Sequence, residues 1–231
     1  MKIGLFTDTH YRCKDSEGGR DFNSACEKVA RVLDIFKSEK CDLVICLGDL
    51  IDKEPSHEKE IDNLKKLSML FDASGLDIIA LMGNHDGFCF TKDEFYSVLG
   101  EKYEPKAMLI GDKALIFLDA CYFASGKRYA PGDSDWTDTF VPAIDKLKSE
   151  LDMAQGECYI FIHQNLDPEI LESHRVSNDA QIRQILEASG KTRAVIQGHY
   201  HAGNRSRHNG IDYIAVPAMC EHELPYEIIE L

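Results

Sequence analysis

The chain has 231 residues, of which 44% are hydrophobic and 29% charged, and it carries a formal net charge of −14. That length suits one large α/β domain spanning 1–231 and hardly allows two. A surface this acidic repels nucleic acid backbones and anionic bilayers, which argues against a polynucleotide or membrane partner. No apolar run approaches the roughly 20 residues that a membrane span needs. The eight cysteines stand singly, with no C-x-x-C pair. Cys41, Cys46 and Cys158 fall in apolar runs, which reads as reduced, buried thiols of a cytoplasmic protein. Met1-Lys2-Ile3-Gly4-Leu5-Phe6 runs directly into a motif, so the reading includes no cleaved leader.

In chain order, residues 2–7 read as a strand ending at Asp8, followed by a polar loop from Tyr11 to Asp21. Phe22, Ala25, Val29, Val32, Leu33 and Phe36 have helical spacing and predict a helix over 22–39 with Asp21 as N-cap. A strand at 42–47 and a helix at 57–72, capped by Ser56 and ended by Gly75, come next. Residues 76–82 form a third strand, closed by Gly83-Asn84. This βαβαβ rhythm implies parallel strands with helices outside.

The pattern then changes. A short helix at 92–99 precedes a hairpin of 106–111 and 114–119 around Gly111-Asp112-Lys113. The polar stretch 121–138, which holds Trp136, reads as an excursion over a site edge. A helix at 140–153 tolerates Pro142 in its first turn. A strand at 159–162 ends at His163. A helix at 179–189 lies between Asn178 as cap and Gly190. A strand at 193–196 leads to Gly198-His199. Asn209-Gly210 turns a hairpin into a return strand at 211–216, and 226–229 closes the chain. Two sets of strands with helices outside each predict an α/β fold: a four-layer α-β-β-α sandwich with two mixed sheets.

Metal-type side chains recur at strand ends, the edge where ligands of open α/β sheets gather. Asp8 and His10, two apart, can converge on one ion. Asp49 follows the apolar run 43–47 and Gly48, and a buried strand-tip carboxylate needs a positive partner. Two cations sharing it would satisfy it. Asp52, three residues on, is expected to orient a ligand and not to bind metal itself. In Gly83-Asn84-His85-Asp86, Asn84 can offer an amide oxygen to a metal, His85 points elsewhere as an acid, and Asp86 can fix its tautomer. His163 ends an apolar strand. His199 and His201 can each take a different ion of a close pair. Asp, His and Asn donors suit Mn, Fe or Zn.

The order D-x-H, G-D-x-x-D, G-N-H-D, H, G-H-x-H, from Asp8 to His201, resembles the calcineurin-like metallophosphoesterases. The resemblance implies two metal ions, with Asp8, His10 and His201 on one, Asn84, His163 and His199 on the other, and Asp49 between them. It also implies in-line attack on phosphorus by a hydroxide shared by the ions, with His85 protonating the leaving oxygen or stabilising the charged transition state. Two divalent cations would outweigh the aspartates and the hydroxide, so a small phosphate ester could be drawn in despite the acidic surface.

Residues 173–221 are similar to the branch of Mn-dependent ADP-ribose/CDP-alcohol diphosphatases, which tilts the expected substrate toward a phosphodiester, a nucleotide or a pyrophosphate-linked compound. A phosphomonoesterase or protein phosphatase is the alternative, and a non-catalytic binding scaffold is the alternative of another class. Candidate substrate contacts are Arg12, Tyr11, His174 and Arg205. Arg20 could hold a phosphate, and Trp136 could stack on a base.

Overall fold

The computed structural model describes residues 1–12, 17–133 and 137–231. Trp136 and its suggested stacking role lie outside them.

Three parallel strands, β1 (Lys2–Phe6), β2 (Leu43–Cys46) and β3 (Ile78–Ala80), stand side by side, with β10 (Glu227–Glu230) antiparallel outside β1. The second sheet has six strands. In it β5 (Lys113–Phe117), β6 (Cys158–Ile162), β7 (Thr192–Gln197) and β9 (Ile211–Ala215) are parallel, flanked by antiparallel β4 (Met108–Ile110) and β8 (Asn204–His208).

The period of two along each strand assigns side chains to layers. Ile3, Leu5, Leu43, Ile45, Leu47, Tyr159, Phe161, Ala194 and Ile196 share one cluster between the sheets. The alternate residues Phe6, Val44 and Cys46 pack instead with Val29, Leu33, Leu64 and Phe71. These come from α1 (Ala25–Ser38) and α2 (His57–Ser74). Across the second sheet, Ile160, Ile162 and Val195 pack on Leu147 and Leu151 of α5 (Ile144–Met153) and on Ile182 and Leu186 of α6 (Asp179–Ser189). The order is therefore helices, sheet, sheet, helices, the four-layer sandwich expected from the strand pattern.

Several boundaries differ from the sequence expectation for local reasons. Asp21 does not cap α1. Its carboxylate accepts the Ser24 N–H at 3.3 Å, and the helix starts at Ala25. Asn178 holds the N-cap position of α6 as expected, but without a side-chain capping bond, because its amide is used by Val141, accepting from the Val141 N–H (3.1 Å) and donating to its carbonyl (2.9 Å). The helix expected over 140–153 starts at Ile144 as α5, and Pro142 precedes it. Gly83-Asn84 does not simply close a strand. It opens a helix, α3 (Asn84–Cys89), that runs almost into α4 (Lys92–Leu99). Six residues are too few for a periodic signal. Strand β8 reads Asn-Arg-Ser-Arg-His and has no apolar alternation, as suits an exposed sheet edge.

Candidate dinuclear metal centre

Loops after β1, β2 and β7, the tip of β6 and the start of α3 meet at one edge of the sandwich. Backbone bonds join the first two: Asp8 N–H to the Gly48 carbonyl, His10 N–H to that of Asp49 and Tyr11 N–H to that of Leu50, all at 3.0 Å. Gly48 has φ 112°, and a Cβ there would lie 2.8 Å from His163 Nδ1. A Cβ on Gly83 would lie 2.1 Å from Asp49 Oδ1. Both positions must therefore be glycine for the loops to close on Asp49. Asp8, His10, Asp49 and His199 all hold left-handed backbone, with φ between 45° and 62°. Such conformations are costly for non-glycine residues and concentrate at functional sites.

Asp49 stands at the centre. Its Oδ1 accepts the His85 N–H at 2.8 Å. Its Oδ2 lies 3.1 Å from His163 Nε2 and 3.6 Å from His10 Nε2. Asp8 Oδ2 is held by Thr7 Oγ1 (2.6 Å) and by the His199 N–H (3.0 Å). That leaves Asp8 Oδ1 at 3.3 Å from His201 Nε2 and 3.5 Å from His10 Nε2. The two ring nitrogens are 3.2 Å apart. Donor atoms of Asp8, His10 and Asp49 lie within 4.8 Å of one another, and so do those of Asp49, His163 and His199. Two compact donor groups thus share one carboxylate.

The histidine rings are fixed from behind. His163 Nδ1–H donates to the Leu47 carbonyl at 2.9 Å, which leaves Nε2 as the atom facing Asp49. His201 Nδ1–H donates to Glu221 Oε1 at 2.5 Å, so Nε2 faces Asp8 and His10. This is the arrangement that carboxylates impose on metal-binding imidazoles.

The electrostatics of the centre set buried carboxylates against buried imidazoles. Burial would raise Asp8 and Asp49, yet the surrounding histidines hold both carboxyls well below the usual range. Burial works the other way on His163, but Asp49 overcomes it and pushes the ring up to about 9. His201, also against burial, is pushed up to about 11 by Asp8. His10 and His199 are lowered, chiefly by burial. The residues also fit metal ions at the level of single atoms. Asp8 Oδ1, Asp49 Oδ2, His163 Nε2 and both amide atoms of Asn84 are buried without a hydrogen-bond partner. Orphaned buried polar atoms of this kind are rare in folded proteins and need an explanation. A pair of cations supplies one.

His85 is set apart. Its side chain is 29% exposed, and its Nδ1–H donates to Asp52 Oδ1 at 3.0 Å. Burial lowers the imidazole, but the charges of Asp49 and Asp52 raise it more. The partner of His85 is therefore Asp52, and the expected role of Asp86 is corrected. The Asp86 carboxylate accepts three backbone N–H groups, those of Gly83 (3.0 Å), Ile51 (3.1 Å) and Leu50 (3.2 Å). It fastens α3 to the Asp49 loop. Burial and the Asp49 charge push it up to about 7, against those three donors.

A cleft of about 460 Å³ opens over the centre, lined in part by Arg20, His85, His174, Tyr200, His201 and Glu221. His174 is thus placed at the site, with its ring 5.6 Å from that of His199 and 5.4 Å from that of Tyr200. The other three suggested substrate contacts are not there. Tyr11 is buried against α2, where Lys66 Nζ donates to its hydroxyl at 3.2 Å. Arg12 lies over the Phe22 ring. Arg205 sits on edge strand β8 and pairs with Glu227 at 2.7 Å. Arg20, Tyr200 and Glu221 also line the cleft. Glu221 follows His201 by twenty residues without a motif, so nothing in the sequence marks it.

Residues 1–203 match the calcineurin-like phosphoesterase family. The chain is 26% identical over 206 residues to a protein of Psychrobacter arcticus described as a probable cyclic nucleotide phosphodiesterase, covering 84% of this chain and 68% of that one. Its fold is similar to that of a dimetal phosphatase from Danio rerio (TM-score 0.84, 17% identity, 100% of this chain and 92% of the other). It is also similar to the fold of a phosphopantetheinyl hydrolase from Mycobacterium tuberculosis (TM-score 0.58, 12% identity, 95% and 90%). The chain belongs to the calcineurin-like phosphoesterases and is a dinuclear metal-dependent phosphohydrolase.

Proposed function

We propose that this centre hydrolyses a small phosphodiester of the nucleotide class. The observation that carries the reading is the shared carboxylate: Asp49 Oδ2, buried without a hydrogen-bond partner, lies between two groups of metal-type donors. The cleft volume of about 460 Å³ suits a small ligand. The −14 charge disfavours a polynucleotide. The name of the Psychrobacter arcticus relative points to a phosphodiester of the same class.

In this reading Asp8, His10 and His201 would hold one ion, Asn84, His163 and His199 would hold the other, and Asp49 would serve both. Manganese, iron and zinc all accept this donor set. When bound, the pair supplies Lewis acidity toward the phosphoryl oxygens and toward water. The protein's own groups do the rest. Asp49 Oδ1 accepts the His85 N–H and sets the position of α3. Asp52 holds His85 Nδ1, so Nε2 is the atom that gives a proton to the leaving oxygen as the P–O bond breaks. Water forms the new P–O bond in line, opposite the leaving oxygen, and the proton it loses passes to solvent, from which His85 regains the proton it gave. Glu221 and Leu47 keep His201 and His163 turned so that neither ring rotates away from the centre.

The test is a panel run with manganese-, iron- and zinc-loaded protein: bis(p-nitrophenyl) phosphate, cyclic nucleotides, mononucleotides and a pyrophosphate-linked nucleotide. Diester cleavage to a monoester is expected. Turnover confined to monoesters would replace this reading with a phosphomonoesterase.

A further inference from the structure

His85 borders a second cavity besides the metal cleft. It measures about 310 Å³ and is bounded by Asp52, Lys53, Phe88, Cys89, Gly132 and Asp133. Its charged groups are already matched. Asp52 accepts from His85. Lys53 Nζ lies 3.0 Å from Glu60. Asp133 accepts from Lys127 Nζ at 3.1 Å and from the Ala130 N–H at 3.0 Å. Such a cavity offers little to a phosphate and much to an apolar ring. Phe88 provides the surface. Its half-buried ring stacks on Tyr129, with centroids 4.8 Å apart and planes at 28°. Tyr129 is itself fixed. Its hydroxyl donates to the Asp138 carbonyl at 3.1 Å, and Phe123 packs on it at 4.5 Å. Gly87 makes room, since a Cβ there would lie only 3.3 Å from Tyr129 Cβ. One face of Phe88 is therefore backed by Tyr129, and its ring lies 6.4 Å from that of His85.

We propose that this cavity is the leaving-group subsite, and that Phe88 stacks on a planar aromatic ring carried by the alcohol side of the ester. The inference rests on the reading of His85 as the proton donor. A leaving oxygen beside His85 carries its substituent away from the metals, and the neighbouring space is this cavity. A rigid aromatic platform recognises any flat ring, by stacking and by apolar burial.

Non-cleavable phosphonates test this by binding alone, measured calorimetrically on manganese-loaded protein. Wild type is expected to bind phenylphosphonate about tenfold more tightly than methylphosphonate. Phe88→Ala should lose that preference while keeping its affinity for methylphosphonate and its bound metal. Phe88→Leu, which preserves packing on Tyr129, should lose it as well, and Phe88→Trp should keep it. An adenosine 5′-methylenephosphonate arm separates a nucleobase reached through a ribose from a ring held directly. A Phe88-dependent gain with either ligand supports the subsite and names its source. Methylphosphonate binding with no Phe88-dependent gain for either ring overturns the subsite and leaves the metal-centre reading intact. Failure of every phosphonate to bind, together with no turnover of any ester, overturns both.

Discussion

Glu221 Oε1 lies 2.5 Å from Nδ1 of His201, and Arg20 Nε lies 3.3 Å from the same oxygen. A cleft arginine and an imidazole at the metal centre therefore share one carboxylate. Burial would raise Glu221, but these two partners hold its carboxyl low, so it stays ionised and acts as acceptor for the ring N–H.

Glu221→Gln should weaken metal binding by about 10–100-fold, the usual effect of removing a carboxylate that orients a metal-binding imidazole. Metal titration followed by mass spectrometry or calorimetry checks this, with the melting temperature as a control. Unchanged affinity would make the contact incidental.

His85→Ala should lose turnover by a factor of about 10²–10⁴ while retaining its metal. Asp52→Asn should cause a smaller loss, because the ring remains but its tautomer is no longer fixed. Steady-state kinetics alongside metal analysis separate these outcomes. Full activity in His85→Ala would remove the residue from the mechanism.

Asp86→Ala should act on stability. It strands the N–H groups of Gly83, Leu50 and Ile51, at a cost of about 3 kcal/mol or more for buried donors. Chemical denaturation reads the loss directly. If stability were untouched while catalysis fell, Asp86 would belong with His85 after all.

His57 joins α2 to α4. Its Nδ1 lies 2.8 Å from Glu60 and its Nε2 2.7 Å from Glu94. These bonds raise its pKa, Glu94 most. A raised folded pKa stabilises below the unfolded value, near 6.5, and the benefit fades as pH rises through the folded pKa. With the side chain 42% exposed, the effect is that of a surface pair, under about 1 kcal/mol. His57→Ala should therefore destabilise more at pH 6 than at pH 9, as read by urea midpoints. The opposite order would contradict the assignment.

What the sequence disclosed follows a physical division. Alternating apolar strands and helical spacing at Val29, Val32, Leu33 and Phe36 report burial, and burial is what defines the three cores. The donors at strand ends were legible because each follows an apolar run or a glycine that closes a loop. The partner of His85 was not, because Asp52 comes to it from another loop, and nothing local marks that long-range contact. Glu221 comes to His201 through backbone pairing of Met219 and Cys220 with Thr7 and Asp8, at 3.0 Å each, a long-range contact that leaves no local trace. Tyr11 and Arg205 were misread for the same reason: loop and edge residues look alike until their neighbours, Lys66 and Glu227, are placed.

The central claim is that Asp49 belongs to two ion sites at once. Calorimetric titration of metal-stripped protein with manganese, compared with Asp49→Asn, addresses it directly. Wild type should bind two ions per chain, and Asp49→Asn should weaken both sites together. One ion or none in wild type, or a variant that loses only one site with the other unchanged, would contradict the shared carboxylate.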